Sequence, residues 1–361
     1  MQKKFVSSLL VFLYACATLQ FVRYYCKSTD FYLNMTAYLT GHERLPFQER
    51  VLPIALLRPM YHWHWLMSHM AHSNGAFTPE LGPFYLLSLL SLAVAGIYTQ
   101  RFYFLVSGRR SLSFLVYPIF LFTMMWSYSI HNEANYSYPY DLPGVAFFAA
   151  GLYYIYKRSF VGLFFVILIG TFNRETTLFL IVLYVIDSAS RAVPSLQLAR
   201  ASRSDRDAGH GILDRFDLRL VGWTKVAILG SIWIAVKFGL AYHFAGNSNA
   251  ENFLRIRYNL ARLSPRLLPA LLNICGYTIP LIVVFFRMLK PIRVQNYLWV
   301  LPVWIAVMFC SGVLVETRIY GELCPFAAVA LVLIIEESAA RSACALPILE
   351  PGLETSEKIA A

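Results

Sequence analysis

Residues 159–188 read SFVGLFFVILIGTFNRETTLFLIVLYVIDS. As one helix, this stretch would hold Arg174 and Glu175 in the middle of an apolar run. Ionised side chains at mid-membrane cost about 2.5–3.5 kcal/mol each on insertion scales. As two helices broken at Asn173-Arg174-Glu175-Thr176, it lets both charges leave the apolar layer. Two helices of about 15 residues reach only about 22 Å at 1.5 Å per residue. A hydrocarbon layer is about 30 Å thick. The junction is therefore expected in a dip lined by protein or reached by water. The choice decides the fold because it sets the side of every later loop. A single helix would put the six arginines between Arg191 and Arg219 outside.

Working outward, the whole chain has the same character. Of its 361 residues, 58% are apolar and 14% charged. Soluble domains run near 45–50% apolar and about 25% charged. So little charge cannot cover a soluble globule of this length. That excludes an ordinary soluble enzyme, a disordered chain and a small disulfide scaffold. The formal net charge is +11. In a soluble protein this would suggest nucleic acid, but here the excess of Lys and Arg on cytoplasmic loops explains it, and no nucleic-acid partner is expected. Cys16, Cys26, Cys275, Cys310, Cys324 and Cys344 show no paired spacing. Most lie in apolar runs, where Cys acts as a small hydrophobe. They read as neither a disulfide framework nor a zinc site.

Apolar runs near 5–22, 83–106, 111–130, 141–157, 159–173, 175–188, 221–245, 267–288, 295–315 and 321–337 are candidate spans. The expected fold is all-α, a polytopic transmembrane helical bundle of about ten spans. One transmembrane domain covers 1–340. It includes a long first outer loop, 26–80, with interfacial helices, and a cytoplasmic linker, 188–220. A short cytoplasmic tail, 341–361, follows. With both termini inside, every inner loop is basic: Arg101, Arg109 and Arg110; Lys157 and Arg158; the linker; Arg287, Lys290 and Arg293. Segment 131–141 carries no Lys or Arg and falls outside. The expected location is a bacterial inner membrane.

The charges that orientation does not explain all fall on the outer face. Asp30, Glu43, Arg44, Glu49, Arg50 and Arg58 lie in the first outer loop, and Glu133 and Asp141 in the second. Arg174 and Glu175 mark the break. Arg255, Arg257, Arg262 and Arg266 lie in the fourth outer segment, and Glu316, Arg318 and Glu322 between the last two spans. Lys237 points toward the same side. Outer loops are wet and carry charge for that reason alone, but these charges sit tight to span ends, mixed in sign and flanked by aromatics. Asp30 either caps a helix or serves as a general base at the lipid–water boundary. Arg174 stands where a helix start disfavours a cation. It either pairs with Glu175 or builds an anion site with free backbone N–H groups. His62, His64, His69 and His72 read as interfacial residues rather than metal ligands.

The arrangement resembles the GT-C-type integral membrane glycosyltransferases. The resemblance rests on Asp30, on Pro46-Phe47-Gln48-Glu49-Arg50-Val51-Leu52-Pro53, on Tyr140-Asp141, on the Asn173–Thr176 break and on Glu316-Thr317-Arg318. It implies a polyprenyl-phosphate-linked sugar as donor and a glycan, lipid or protein acceptor on the outer face. It implies Asp30 as the catalytic acid of the first outer loop, taking the acceptor's proton. Arg174 and Arg318 would stabilise the leaving phosphate, with Lys237 behind them. Asp141 would position acceptor or sugar, and Arg50, Glu175 and Glu316 would complete the binding site. One displacement would invert the anomeric carbon. The family's frequent paired acidic motif is missing, since Phe31 follows Asp30, so the sequence does not support a bound divalent metal. Three other readings stay open: a polysaccharide polymerase or ligase, a transporter or flippase of lipid-linked anions, and a non-catalytic assembly subunit. The inner half of the membrane reads as nearly free of charge, which disfavours a transport path.

Overall fold

The computed structural model describes residues 2–28, 33–63, 81–108, 111–130, 136–190, 216–248, 254–262, 265 and 267–345. Asp30, His64, His69, His72, Glu133 and most of the basic linker lie outside these residues. Among the described residues the structure is helical, with an isolated β-bridge between Ser190 and Phe216.

The first helix, α1 (Gln2–Ser28), runs past the apolar stretch that predicts it. Residues 33–63 then fold into α2 (Met35–Thr40), a 3₁₀ turn at Phe47–Glu49 and α3 (Val51–Tyr61). Asn34 caps α2 by accepting from the Ala37 N–H at 3.0 Å, and Gly41 closes it in the left-handed region. The bundle continues with α4 (Leu81–Ser107), α5 (Ser113–Tyr128) and α6 (Asp141–Tyr156). The deciding stretch forms two helices, α7 (Phe160–Asn173) and α8 (Leu178–Ala189), joined by extended Arg174 and a 3₁₀ turn at Glu175–Thr177. Next come α9 (Trp223–His243) and the short α10 (Ile256–Ala261), α11 (Leu267–Leu272) and α12 (Thr278–Val284). The last part holds α13 (Ile292–Asn296), which a 3₁₀ turn carries into α14 (Val300–Ser311). A 3₁₀ segment at Thr317–Leu323 then leads into α15 (Cys324–Ala345).

Among the described residues, five stretches are long and apolar enough to cross a membrane: Ser8–Cys26, Gly82–Ser107, Trp223–His243, Ile292–Ser311 and Thr317–Ala343. These apolar helices and their bundle packing fit an integral membrane protein. Helix α15 is the hub, with most of its apolar window covered by α4, α5, α6 and α12. At the other extreme, α9 leaves Phe238 and Tyr242 exposed and rests on α7 and α8.

One candidate span departs from its expected form. The run 267–288 is not one helix. Cys275, Gly276 and Tyr277 stand at φ 52°, 65° and 62° and turn the chain between α11 and α12. Left-handed φ costs a residue with a Cβ roughly 1–2 kcal/mol, so packing must hold this turn. A Cβ at Gly276 would stand 2.6 Å from the Trp126 ring, so glycine lets the turn lie on that indole.

The core between the two ends is apolar, built around residues such as Phe148, Phe179 and Trp304. The end opposite Arg174 is not charge-free, contrary to the sequence reading. Buried Asp187 accepts from Arg293 Nη2 at 2.6 Å and from the Tyr297 hydroxyl at 2.5 Å. Arg293 also donates to the Tyr156 carbonyl at 2.9 Å and the Ile155 carbonyl at 3.1 Å. Asp187 closes an apolar run, and its burial depends on Arg293 arriving from a segment about a hundred residues later. Both carboxylate oxygens of Asp187 and all three guanidinium nitrogens of Arg293 are engaged locally, as a staple between helix ends requires.

Candidate functional site: a charged chamber at the helix break

The Asn173–Thr176 break sits beside the start of α6, the 3₁₀ segment before α15, the 3₁₀ turn at Phe47–Glu49 and α9. Five separate stretches of chain thereby bring their charges together. Arg174 Nη1 lies 3.3 Å from Asp141 and 3.5 Å from Glu322. Arg318 reaches Asp141 at 3.8 Å and Glu316 at 2.8 Å. Arg50 donates to Glu175 at 2.9 Å, and Lys237 pairs with Glu49. Arg174 and Glu175 therefore do not neutralise each other, which was the simpler of the two sequence readings.

These carboxylates divide by exposure. Asp141 and Glu322 have side chains 0% and 2% exposed, whereas Glu175 and Glu316 are 35% and 28% exposed. The first two are buried counter-ions. Asp141 accepts from Arg174 and lies within 3.4 Å of the Tyr25 hydroxyl, and the Thr176 hydroxyl donates to Glu322 at 2.6 Å. Buried carboxylates need such partners. The second two hold the accessible sides of Arg50 and Arg318. Each arginine is paired through Nε and Nη2, with Arg318 Nε at 3.0 Å from Glu316 and Arg50 Nε at 3.5 Å from Glu175.

Aromatic rings fix the arginine planes. Arg50 lies 4.1 Å from the Tyr140 ring centroid and Arg318 lies 4.4 Å from that of Tyr138. Phe47, Tyr138 and Tyr140 form a stack with centroid spacings of 5.5 and 5.1 Å. Tyr38 donates to the Arg50 carbonyl and so anchors the loop side of the stack. Burial pushes the Tyr138 and Tyr140 phenols up, so both rings stay neutral. Burial opposes the charge on Arg50, but Glu175 beside it more than offsets this and raises its pKa. Asn173 supports the same corner by donating to the Tyr140 carbonyl at 2.9 Å.

Between these groups lies a cavity of about 330 Å³. Arg50, Arg174, Lys237, Arg255 and Arg318 line it with Glu175 and Glu316. Below them the wall turns apolar, with Leu178, Phe179, Trp233, Val307 and Met308. Trp233 is fixed by donating to the Glu175 carbonyl at 2.9 Å. Arg255 is brought in by α10, which Asn259 ties to the end of α14 through the Phe309 and Gly312 carbonyls at 2.8 and 2.9 Å. Arg174 Nε is buried and has no acceptor among the described residues.

No family model, curated protein or solved structure matches the chain.

The structure thus gathers Arg50, Arg174, Glu175, Lys237, Glu316 and Arg318 around one chamber. Asp141, read from sequence as a group that positions a substrate, faces the arginines and does not line the cavity. Its place at the first turn of α6, under two guanidinium groups, makes it their support. Asp30 lies outside the described residues. Among those residues no group of three or more His, Cys, Asp or Glu side chains converges to hold a metal. From sequence, Glu49 and Glu322 stand among the unexplained outer charges and Thr176 in the break, but none of the three is assigned to the site, and Trp233 is not singled out. Glu322 carried a usable signal: a carboxylate at the start of the last apolar run needs a cation from elsewhere.

Gly144 is the packing detail that admits Glu322. A Cβ there would stand 2.9 Å from Glu322 Oε1 and 3.5 Å from Asn173 Nδ2. Gly144→Ala is expected to push the carboxylate off Arg174 and destabilise the protein by about 1–3 kcal/mol, the usual cost of overpacking. Thermal unfolding in detergent measures this. An unchanged midpoint would show that the corner has slack that the contact distances deny.

Proposed function

We propose that the protein is an integral membrane glycosyltransferase that moves a sugar from a polyprenyl-phosphate donor to an envelope glycan, lipid or protein acceptor at the outer face. The observation that carries this reading is the two-part cavity. Its arginine-rich end suits a phosphate, and its apolar wall between α8, α9 and α14 suits the first part of a lipid tail. The expected ten-span topology, with both termini cytoplasmic in a bacterial inner membrane, belongs to the same proposal.

The chemistry follows from the charges. When the sugar leaves its carrier, negative charge grows on the phosphate, and Arg174 and Arg318 stabilise it in a water-poor site. The acceptor hydroxyl gives its proton to a carboxylate, for which the family resemblance indicates Asp30. Attack from the side opposite the phosphate inverts the anomeric carbon. Asp141 and Glu322 keep the two arginines in place, and Arg50 and Lys237 complete the positive rim.

Glu175 and Glu316 already occupy the accessible sides of Arg50 and Arg318. An arriving phosphate competes with them for the same N–H groups. Glu316→Gln is therefore expected to tighten binding of polyprenyl phosphate by several-fold, opposite to the loss expected when a direct ligand is removed. Titration of the purified variant against the native protein measures this, and weaker binding would place Glu316 among the ligand's own contacts.

Lipid-linked glycan profiling tests the function as a whole. A deletion strain is expected to accumulate the sugar-charged carrier and lose one envelope glycan. Native protein should restore the glycan, and Asp30→Asn expressed at normal level should not. Restoration by Asp30→Asn would refute the assigned base. An unchanged glycan profile in the deletion strain would refute the transferase reading.

A further inference from the structure

Cys275 and Cys324 are both fully buried, and their sulfur atoms lie 3.7 Å apart. They come from distant parts of the chain. Cys275 sits in the left-handed turn between α11 and α12, and Cys324 is the first residue of α15. The Ser127 hydroxyl is 3.2 Å from Cys324, and Cys275 Sγ faces the Tyr320 carbonyl at 3.8 Å. The pair therefore lies directly behind the 3₁₀ segment Thr317–Leu323, whose other side presents Arg318 to the chamber and Glu322 to Arg174.

We infer that Cys275 and Cys324 form a disulfide that braces the arginine-bearing segment from behind. Two buried thiols at van der Waals separation need only a small approach of their sulfurs to bond. On the topology proposed above, on which this part of the inference rests, the chamber faces outward and both cysteines lie at the oxidising side of the membrane, where disulfides form and persist. The positive φ at Cys275 adds a reason. A turn of three left-handed residues is held against its own strain, and a covalent tie to α15 would hold it. Neither sequence spacing nor local pattern announces this pair, because 48 residues and several helices separate the two cysteines.

The step needs an oxidant, which we assign to a disulfide-bearing thiol oxidoreductase acting while the chain folds and the thiols are still accessible. One cysteine thiolate attacks the donor disulfide, forming a mixed disulfide and releasing the first donor thiolate. The second cysteine thiolate attacks the protein sulfur of that mixed disulfide, closing the Cys275–Cys324 bond and releasing the second donor sulfur. Two electrons pass to the donor, and the two thiol protons finish on its sulfurs.

The test is differential alkylation of full-length protein taken from its native membrane, trapped with a maleimide under denaturing, non-reducing conditions and mapped by mass spectrometry. Cys16, Cys26 and Cys310 should be alkylated and serve as controls. Cys275 and Cys324 should appear in one linked peptide that separates on reduction. In Cys324→Ser, Cys275 should become alkylated, which excludes simple inaccessibility. Full alkylation of both cysteines in the unreduced native protein overturns the proposal. That result would leave the chamber assignment intact, because the chamber rests on other residues.

Discussion

Arg174→Ala is expected to abolish glycan transfer and to destabilise the fold in the same variant. The stability loss follows from burial. Arg174 is the neighbour shared by Asp141 and Glu322, and both carboxylates are buried. Removing one partner of a buried ion pair typically costs about 3–5 kcal/mol, because a charge is left without compensation. The loss of activity follows from position. A cationic donor aimed at the leaving phosphate typically supplies roughly a hundred- to a thousandfold in rate, as single oxyanion donors do elsewhere. The two effects separate through Arg174→Lys, which keeps the charge for Asp141 and Glu322 but loses the planar fork. It should recover most of the stability and little of the activity. Thermal unfolding beside a transfer assay on membrane extracts reads both. Arg174→Ala protein with normal stability would mean that Asp141 and Glu322 find other partners.

Asp141→Ala is expected to be nearly as damaging, for a different reason. Among the described residues, Asp141 is the one carboxylate within reach of both Arg174 and Arg318. Its removal leaves Arg174 with Glu322 alone and Arg318 with Glu316 alone, two half-compensated guanidinium groups side by side. We expect a loss of about 3–5 kcal/mol, with phosphate binding disordered rather than simply weakened. The double variant Arg174→Ala, Asp141→Ala should be far less destabilised than the sum of the singles, since residues in one network couple strongly. Additive losses would show that the two side chains act independently and that the network is one of proximity alone.

Much of this was readable in the chain. The break at Asn173–Thr176 follows from the cost of burying Arg174 and Glu175 in one long helix, and α7 and α8 form on either side of it. The short list of unexplained charges contained nearly every residue of the chamber. Scarcity of charge is the reason: an apolar chain has few charges, and each needs a partner. Pairing was not readable. The sequence places Glu175 beside Arg174, yet Glu175 turns to Arg50 from a loop more than a hundred residues away. The supporting role of Asp141 depends on tertiary contact with Arg318. The breakdown of the run 267–288 was also hidden, because its apolar composition satisfies a span while three left-handed residues interrupt the helix.

The central claim is that the chamber holds a lipid-borne phosphate through its arginines. It is tested most directly by measuring binding of polyprenyl phosphate and of the corresponding polyprenol to the purified protein in lipid nanodiscs, native and Arg318→Gln. Arg318 is chosen because it is partly exposed and its loss spares the buried pairs of Arg174. The native protein is expected to prefer the phosphate. Arg318→Gln is expected to weaken phosphate binding by roughly tenfold or more, in line with a lost charge-assisted hydrogen bond of about 1.5–3 kcal/mol, while polyprenol binding stays unchanged. Equal binding of the two lipids by the native protein would contradict the account, as would an Arg318→Gln variant that binds the phosphate as the native protein does.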